Sequence, residues 1–194
     1  FHPIPSINRK NNQLITTASA DVPLKGLIFL IRAYADLLKE FPDLELLVIG
    51  RLREGPTDQE LKKEGIKEKV KFISDLTGRQ IAELYAESTI AVSPSVYEGF
   101  GFPAGEAMSC GIPLISTNGG SLPEVVGDAA IVVPHSNPKA LKDAIKLLLK
   151  SPEKRLDLGN KGRKRVLEKF TWKRAAKELV EVYREAIENA NNRS

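Results

Sequence analysis

The chain has 194 residues, of which 42% are apolar and 28% charged, with a net charge of +4 and a single cysteine. This is enough for one α/β domain with a proper core and a small helical extension. It excludes an internal disulfide, and no run of about 18 apolar residues encodes a membrane-spanning helix. The two histidines, His2 and His135, lie in no cluster with metal-ligand spacing, so no metal is expected. No Arg/Lys run is dense enough for a nucleic-acid module. The mild positive charge favours anionic partners, such as phosphate groups or a membrane surface.

Residues 1–12 carry two prolines among polar residues and read as the end of an interdomain linker. The chain starts at Phe1 rather than Met, with no signal-peptide pattern, so its start is expected to lie inside a longer protein. Leu14–Ala18 reads as a first strand, and Leu27, Leu30, Ile31, Tyr34, Leu37, Leu38 and Phe41 then recur at helical spacing. Leu44–Gly50 is nearly all apolar, as a strand buried on both faces should be. Thr57 and Glu60 have capping-box spacing, as do Thr77 and Gln80, and each pair is expected to open a helix. Val70–Ile73, Thr89–Ser93, Pro113–Thr117 and Ala130–Val133 complete six strands. Asn137-Pro138 and Ser151-Pro152 are helix starts. Thr171 caps a last helix with an apolar face of Ala176, Leu179, Val180, Tyr183 and Ile187, and Trp172 is expected to pack.

Strands alternating with helices predict an α/β fold, a Rossmann-like, doubly wound parallel sheet of about six strands followed by C-terminal helices. Ligands of such sheets sit outside the carboxyl ends of the strands. That rule directs attention to the loop after the fourth strand, Ser93-Pro94-Ser95-Val96-Tyr97-Glu98-Gly99-Phe100-Gly101, and to the helix that begins near Pro103. Free backbone N–H groups and the positive end of a helix dipole suit a phosphate. Gly99 and Gly101 permit close approach of the backbone to a ligand. Glu98 in the loop and Glu106 one turn into the helix would straddle a diphosphate, with Glu106 accepting from a ribose diol. Taken alone, the same residues also fit a solvated helix start. Cys110 reads as a small buried apolar residue.

The stretch Glu98-Gly99-Phe100-Gly101, Glu106-Ala107-Met108 and Gly111-Ile112-Pro113 resembles the Glu-x7-Glu signature of family 4 (group 1) retaining glycosyltransferases, which have the two-domain GT-B architecture. Gly119-Gly120-Ser121-Leu122-Pro123-Glu124-Val125-Val126 is similar to that family's next loop, Lys25-Gly26 to its donor-phosphate pair, and Phe170-Thr171-Trp172 to the start of its closing helix. The resemblance covers essentially the whole chain. It implies that residues 13–170 form the nucleotide-sugar-binding domain and residues 171–194 a C-terminal helix, while the N-terminal acceptor domain is absent. It further implies transfer of a sugar, usually a hexose, from a nucleoside-diphosphate sugar to an acceptor hydroxyl.

Carried over residue by residue, Lys25 pairs with the diphosphate and Gly26 accompanies it. Glu98 is the catalytic-site carboxylate beside the donor sugar. Gly99, Phe100 and Gly101 offer backbone donors, and Glu106 binds the ribose. Ile73, Ser74, Asp75 and Leu76 grip the nucleobase through backbone groups. No cofactor is implied, because the nucleotide sugar is a substrate. The acceptor would be bound mainly by the missing domain. The implied location is the cytoplasm, with peripheral attachment to the inner face of a membrane as an option for the full-length protein. One departure stands out: no arginine precedes Lys25, and Arg51 or Arg53 is either its substitute or a solvated loop residue. The fold also serves sugar-nucleotide epimerases and non-catalytic nucleotide sensors. A nicotinamide dehydrogenase is disfavoured, since no Gly-x-Gly-x-x-Gly follows the first strand.

Overall fold

A computed structural model describes residues 1–18 and 22–191. Part of the loop before Lys25 (residues 19–21) and the last three residues of the C-terminal helix expected over 171–194 lie outside the described residues. The strands are β1 (Gln13–Thr17), β2 (Glu45–Ile49), β3 (Val70–Ile73), β4 (Ile90–Ser93), β5 (Leu114–Thr117) and β6 (Ile131–Val133). The helices are α1 (Leu27–Leu38), α2 (Pro56–Lys63), α3 (Gly78–Glu87), α4 (Phe102–Ser109), α5 (Leu122–Val126), α6 (Pro138–Lys150), α7 (Pro152–Lys169) and α8 (Trp172–Asn191). Every strand predicted from the sequence is present: β1 is shifted one residue toward the N-terminus, β3 has the expected bounds, and the other four are one or two residues shorter than expected.

The six strands form one sheet in the order β3-β2-β1-β4-β5-β6, with every pairing parallel. Successive strand residues serve opposite faces. Leu14, Leu46, Val48, Ile90, Val92 and Ile115 enter one core with α1 and α6. Ile15, Leu47, Ile49, Ala91 and Leu114 enter the other with α3, α4 and α5. Burying one such Leu or Ile side chain contributes roughly 1.5–3 kcal/mol, so the two apolar layers hold the sheet between them. Because the chain leaves β1 toward one face and β4 toward the other, their carboxyl ends open a crevice at the point where strand order reverses.

Local capping decides several helix starts. The Thr77 side chain accepts from the Gln80 amide at 3.3 Å, while Gln80 Oε1 accepts from the Thr77 amide at 2.8 Å, which completes the expected capping box. Asn137 Oδ1 accepts from the Ala140 amide at 3.0 Å, and Thr171 Oγ1 from the Arg174 amide at 3.3 Å. Thr57, expected to open the second box, is not the N-cap of its helix. Helix α2 starts earlier, at Pro56 after Gly55, and Glu60 is drawn away by Arg32, which donates to both its carboxylate oxygens at 2.8 and 3.1 Å. A bidentate charge-assisted pair outweighs a cap of about 1 kcal/mol. Gly119–Val126, read as a loop, contains the short helix α5.

Trp172 corrects another expectation: it is 90% exposed, and no residue of α8 is buried. Residues 1–12 lie against the domain, with Ile4 packed on the α3–α4 core and the Lys10 amide donating to the Glu87 carbonyl at 2.8 Å.

Candidate functional site

The loops after β1 and β4 meet at the switch point. Residues Pro23–Lys25 form a single 3-10 turn, and Gly26 follows in the left-handed region at φ 63° as the N-cap of α1. Leu24 O accepts from the Val96 and Tyr97 amides at 2.8 and 3.3 Å, which stitches the two loops together. Their backbones approach so closely that a Cβ on Gly26 would stand 2.1 Å from Pro94 O. This approach brings Lys25 Nζ to 2.7 Å from Glu98 Oε1, an ion pair across 73 positions of sequence. The Glu98 side chain is only 12% exposed, and the Lys25 side chain 30%.

A third loop braces Glu98 from behind. The Ser121 amide and hydroxyl donate to the Glu98 carbonyl at 3.0 and 3.1 Å. A Cβ on Gly120, itself at φ 61°, would lie 2.2 Å from the same carbonyl oxygen. One residue earlier, Gly119 leaves room for the Ser95 and Val96 carbonyls, each 2.6 Å from where its Cβ would be. Thr117 Oγ1 donates to the Ser95 carbonyl, and Ser95 Oγ donates to Glu98 Oε1 at 2.8 Å. The sequence marked the loop that holds Ser121, but not the contacts of Ser121 and Thr117 with Ser95 and Glu98, which β5 brings about. Ser95, three residues before Glu98, had a spacing that could have found it.

Gly101, at φ 93°, is the N-cap of α4 and packs where a Cβ would touch the Leu122 side chain at 2.6 Å. Gly99 is exposed and open around its Cα. The Phe100 ring lies in an aromatic cluster, 4.9 Å from Phe102 and 5.7 Å edge-on to Phe170.

Glu106 lies one turn into α4. Its carboxyl is half-buried, makes no hydrogen bond or ion pair among the described residues, and burial holds it above the ordinary glutamate range. Behind it, buried Tyr85 joins three elements. Its hydroxyl meets Thr17 Oγ1 at the end of β1 at 3.0 Å and donates to the Pro103 carbonyl in the first turn of α4 at 3.3 Å. The same burial raises the Tyr85 pKa. The Cys110 thiol is buried and pushed up to about 11 by desolvation, so it is inert as a nucleophile at neutral pH.

The third expected part lies farther along the sheet. Ile73 ends β3 and Ser74–Leu76 follow it, two strands from β1, or about 10 Å at ordinary strand spacing. Asp75 is left-handed at φ 61°, and its carboxylate accepts from Ser74 Oγ at 2.8 Å and from Arg51 at 2.7 Å. These bonds hold its carboxyl below the ordinary aspartate range. Arg51 therefore reaches Asp75 in the β3 loop. Ile73 and Leu76 line a groove of about 280 Å³ with Ile7 and the α3 residues Gln80, Glu83, Leu84 and Glu87. Among the described residues no group of three His, Cys, Asp or Glu side chains could hold a metal ion.

The crevice thus gathers an ammonium, a braced carboxylate and two helix starts at one place, with a second carboxylate one turn along α4. Comparison with known proteins points the same way. The family described as "Glycosyl transferases group 1" matches residues 3–165. The chain is similar to the MMP alpha-(1->4)-mannosyltransferase of Mycolicibacterium hassiacum, with 40% identity over 94% of this chain and 45% of that protein. Among solved structures it is similar to sucrose-phosphate synthase from Thermosynechococcus elongatus, with a TM-score of 0.82 and 26% identity over 97% of this chain and 50% of the other. It is also similar to the C-terminal domain of a glycosyl transferase group 1 family protein from Francisella tularensis, with a TM-score of 0.74 and 25% identity over 89% of this chain and 96% of that domain. The chain spans about 45% of the length of the mannosyltransferase.

Proposed function

The chain belongs to the group 1 glycosyl transferases, and from that premise we propose that it is the half of such an enzyme that holds a nucleoside-diphosphate sugar. The observation that carries this reading is the Lys25–Glu98 pair at the switch point, flanked by the starts of α1 and α4. A diphosphate needs a cation and free N–H groups, and both stand where the fold opens. Lys25 and the helix starts stabilise the charge that develops on the departing diphosphate, with no cofactor involved. Glu98 accepts from the sugar and stabilises positive charge at its reacting carbon. Glu106 takes the ribose diol, and the loop Ile73–Leu76 contacts the base.

Transfer proceeds with retention at that carbon, by attack on the face the diphosphate leaves, so Glu98 positions the sugar rather than bonding to it. The acceptor molecule, and any base that deprotonates its hydroxyl, are held by the remainder of the enzyme. No described helix is long and apolar enough to cross a membrane.

The test is titration of UDP, GDP, free nucleosides and the glucose and mannose conjugates of the diphosphates into the purified chain. The mannosyltransferase relative places a mannosyl donor first in that panel. Lys25→Ala is expected to weaken diphosphate binding by about 1.5–3 kcal/mol, the range of a charged hydrogen bond, while leaving nucleoside binding unchanged. Equal losses for both ligands would remove Lys25 from the phosphate.

A further inference from the structure

Two donors share one oxygen of Glu98. Lys25 Nζ donates to Oε1 at 2.7 Å and Ser95 Oγ to the same Oε1 at 2.8 Å, and no described residue bonds Oε2. These donors differ in what a ligand does to them. A diphosphate, carrying more negative charge than a carboxylate, draws the Lys25 ammonium toward itself on its flexible four-carbon stem. Glu98 then loses its counter-charge while remaining only 12% exposed, and a poorly solvated carboxylate without a donor is costly.

Ser95 has no such freedom. It is 3% exposed, and its carbonyl is pinned by Thr117 Oγ1 and by the backbone of Gly119. Its backbone is therefore tied to β5 through the carbonyl, and its hydroxyl reaches Glu98 three residues farther along the same loop.

Building on the donor-site reading, we propose that Ser95 is a positioning residue: it holds Glu98 Oε1 in place once Lys25 has passed to the diphosphate, leaving Oε2 to accept from a hydroxyl of the donor sugar. Phosphate recognition and sugar recognition are thereby separated. Lys25 serves the first, and the Ser95–Glu98 pair the second.

The test compares UDP and GDP with UDP-glucose and GDP-mannose by calorimetry on wild type, Ser95→Ala, Glu98→Ala and the double variant. Ser95→Ala is expected to bind the free diphosphates within about twofold of wild type and the matching sugar conjugate about tenfold more weakly, as for loss of a charged hydrogen bond. In the Glu98→Ala background the serine substitution should add nothing, because it acts through that carboxylate. Ser95→Cys, which keeps the volume with a weaker donor, carries the measurement should the alanine variant unfold, and it should show a smaller loss. Equal weakening toward diphosphates and conjugates would mark a purely structural role and overturn the proposal. So would an additive loss in the double variant, or no loss at all. Wild type that binds neither class of ligand would instead overturn the donor-site reading itself.

Discussion

Glu106 is held by burial rather than by a partner, and this has consequences for both stability and binding. Its folded pKa is raised above the ordinary glutamate value, so the folded chain holds this proton more tightly than the unfolded one. The stability that the neutral form contributes is complete below the unfolded pKa and is lost as pH rises through the folded one. At neutral pH the ionised carboxylate therefore destabilises the fold. Glu106→Gln is expected to raise Tm at about pH 7 and to leave it unchanged at about pH 3.5, where both side chains are neutral. The same substitution should weaken nucleotide binding by about 1.5–3 kcal/mol. Thermal unfolding across that pH range, beside a nucleotide titration, checks both. Lower Tm with full affinity would assign Glu106 to structure. Glu98 and Lys25 were legible in the sequence as residues beside glycines in loops after strands, and Glu106 as a carboxylate one turn into the following helix. The bond between Lys25 and Glu98 was not, because 73 positions separate them and only the strand order closes the gap.

At the scale of elements, the site is made by loops lying backbone against backbone. Gly26 combines a left-handed φ of 63° with a carbonyl 2.1 Å from its absent Cβ, so it is fixed by conformation and by contact at once. Gly26→Ala is expected to cost at least about 2 kcal/mol, from left-handed strain of about 1–2 kcal/mol plus separation of the β1 and β4 loops. Gly78→Ala, in the first turn of α3 with nothing within 4 Å of its Cβ, should be neutral or stabilising by up to about 1 kcal/mol. Urea unfolding of the two variants measures the difference, and equal midpoints would mean that the loop approach carries no strain. The Thr77 box was readable because its partners stand three residues apart. Glu60 had the same spacing, yet Arg32 of α1 takes it, and no local pattern announces a competitor 28 positions away.

At the scale of the whole chain, α8 stands apart. It carries Trp172, Leu179, Val180, Tyr183 and Ile187 as exposed apolar residues and buries none of them within this domain. Its links back are the Thr171 cap and the Arg174 guanidinium on the Glu168 carbonyl at 3.0 Å. Removal of residues 171–194 is therefore expected to shift Tm of the purified chain by less than about 3 °C, since little buried area is lost. A larger drop would show that the helix docks on this domain. Phe170 stays in the shortened chain, and with it the aromatic contact to Phe100 in the site loop.

The sequence by itself determined the class of the fold, six strands alternating with helices, and most helix starts, because hydrophobic period and capping act over about four residues or fewer. It also marked the loop from Glu98 to Gly101 and the carboxylate at Glu106, since strand, glycines and helix start are contiguous there. Only the tertiary structure decided that Lys25 pairs with Glu98 and that Ser95, Thr117 and Ser121 brace that loop. It likewise assigned Arg51 to Asp75 and left the apolar stripe of α8 exposed. The Lys25–Glu98 and Arg51–Asp75 pairs and the Thr117 and Ser121 contacts depend on which strands are neighbours and how closely their loops pack, and those distances are set by the order β3-β2-β1-β4-β5-β6 rather than by anything within one segment.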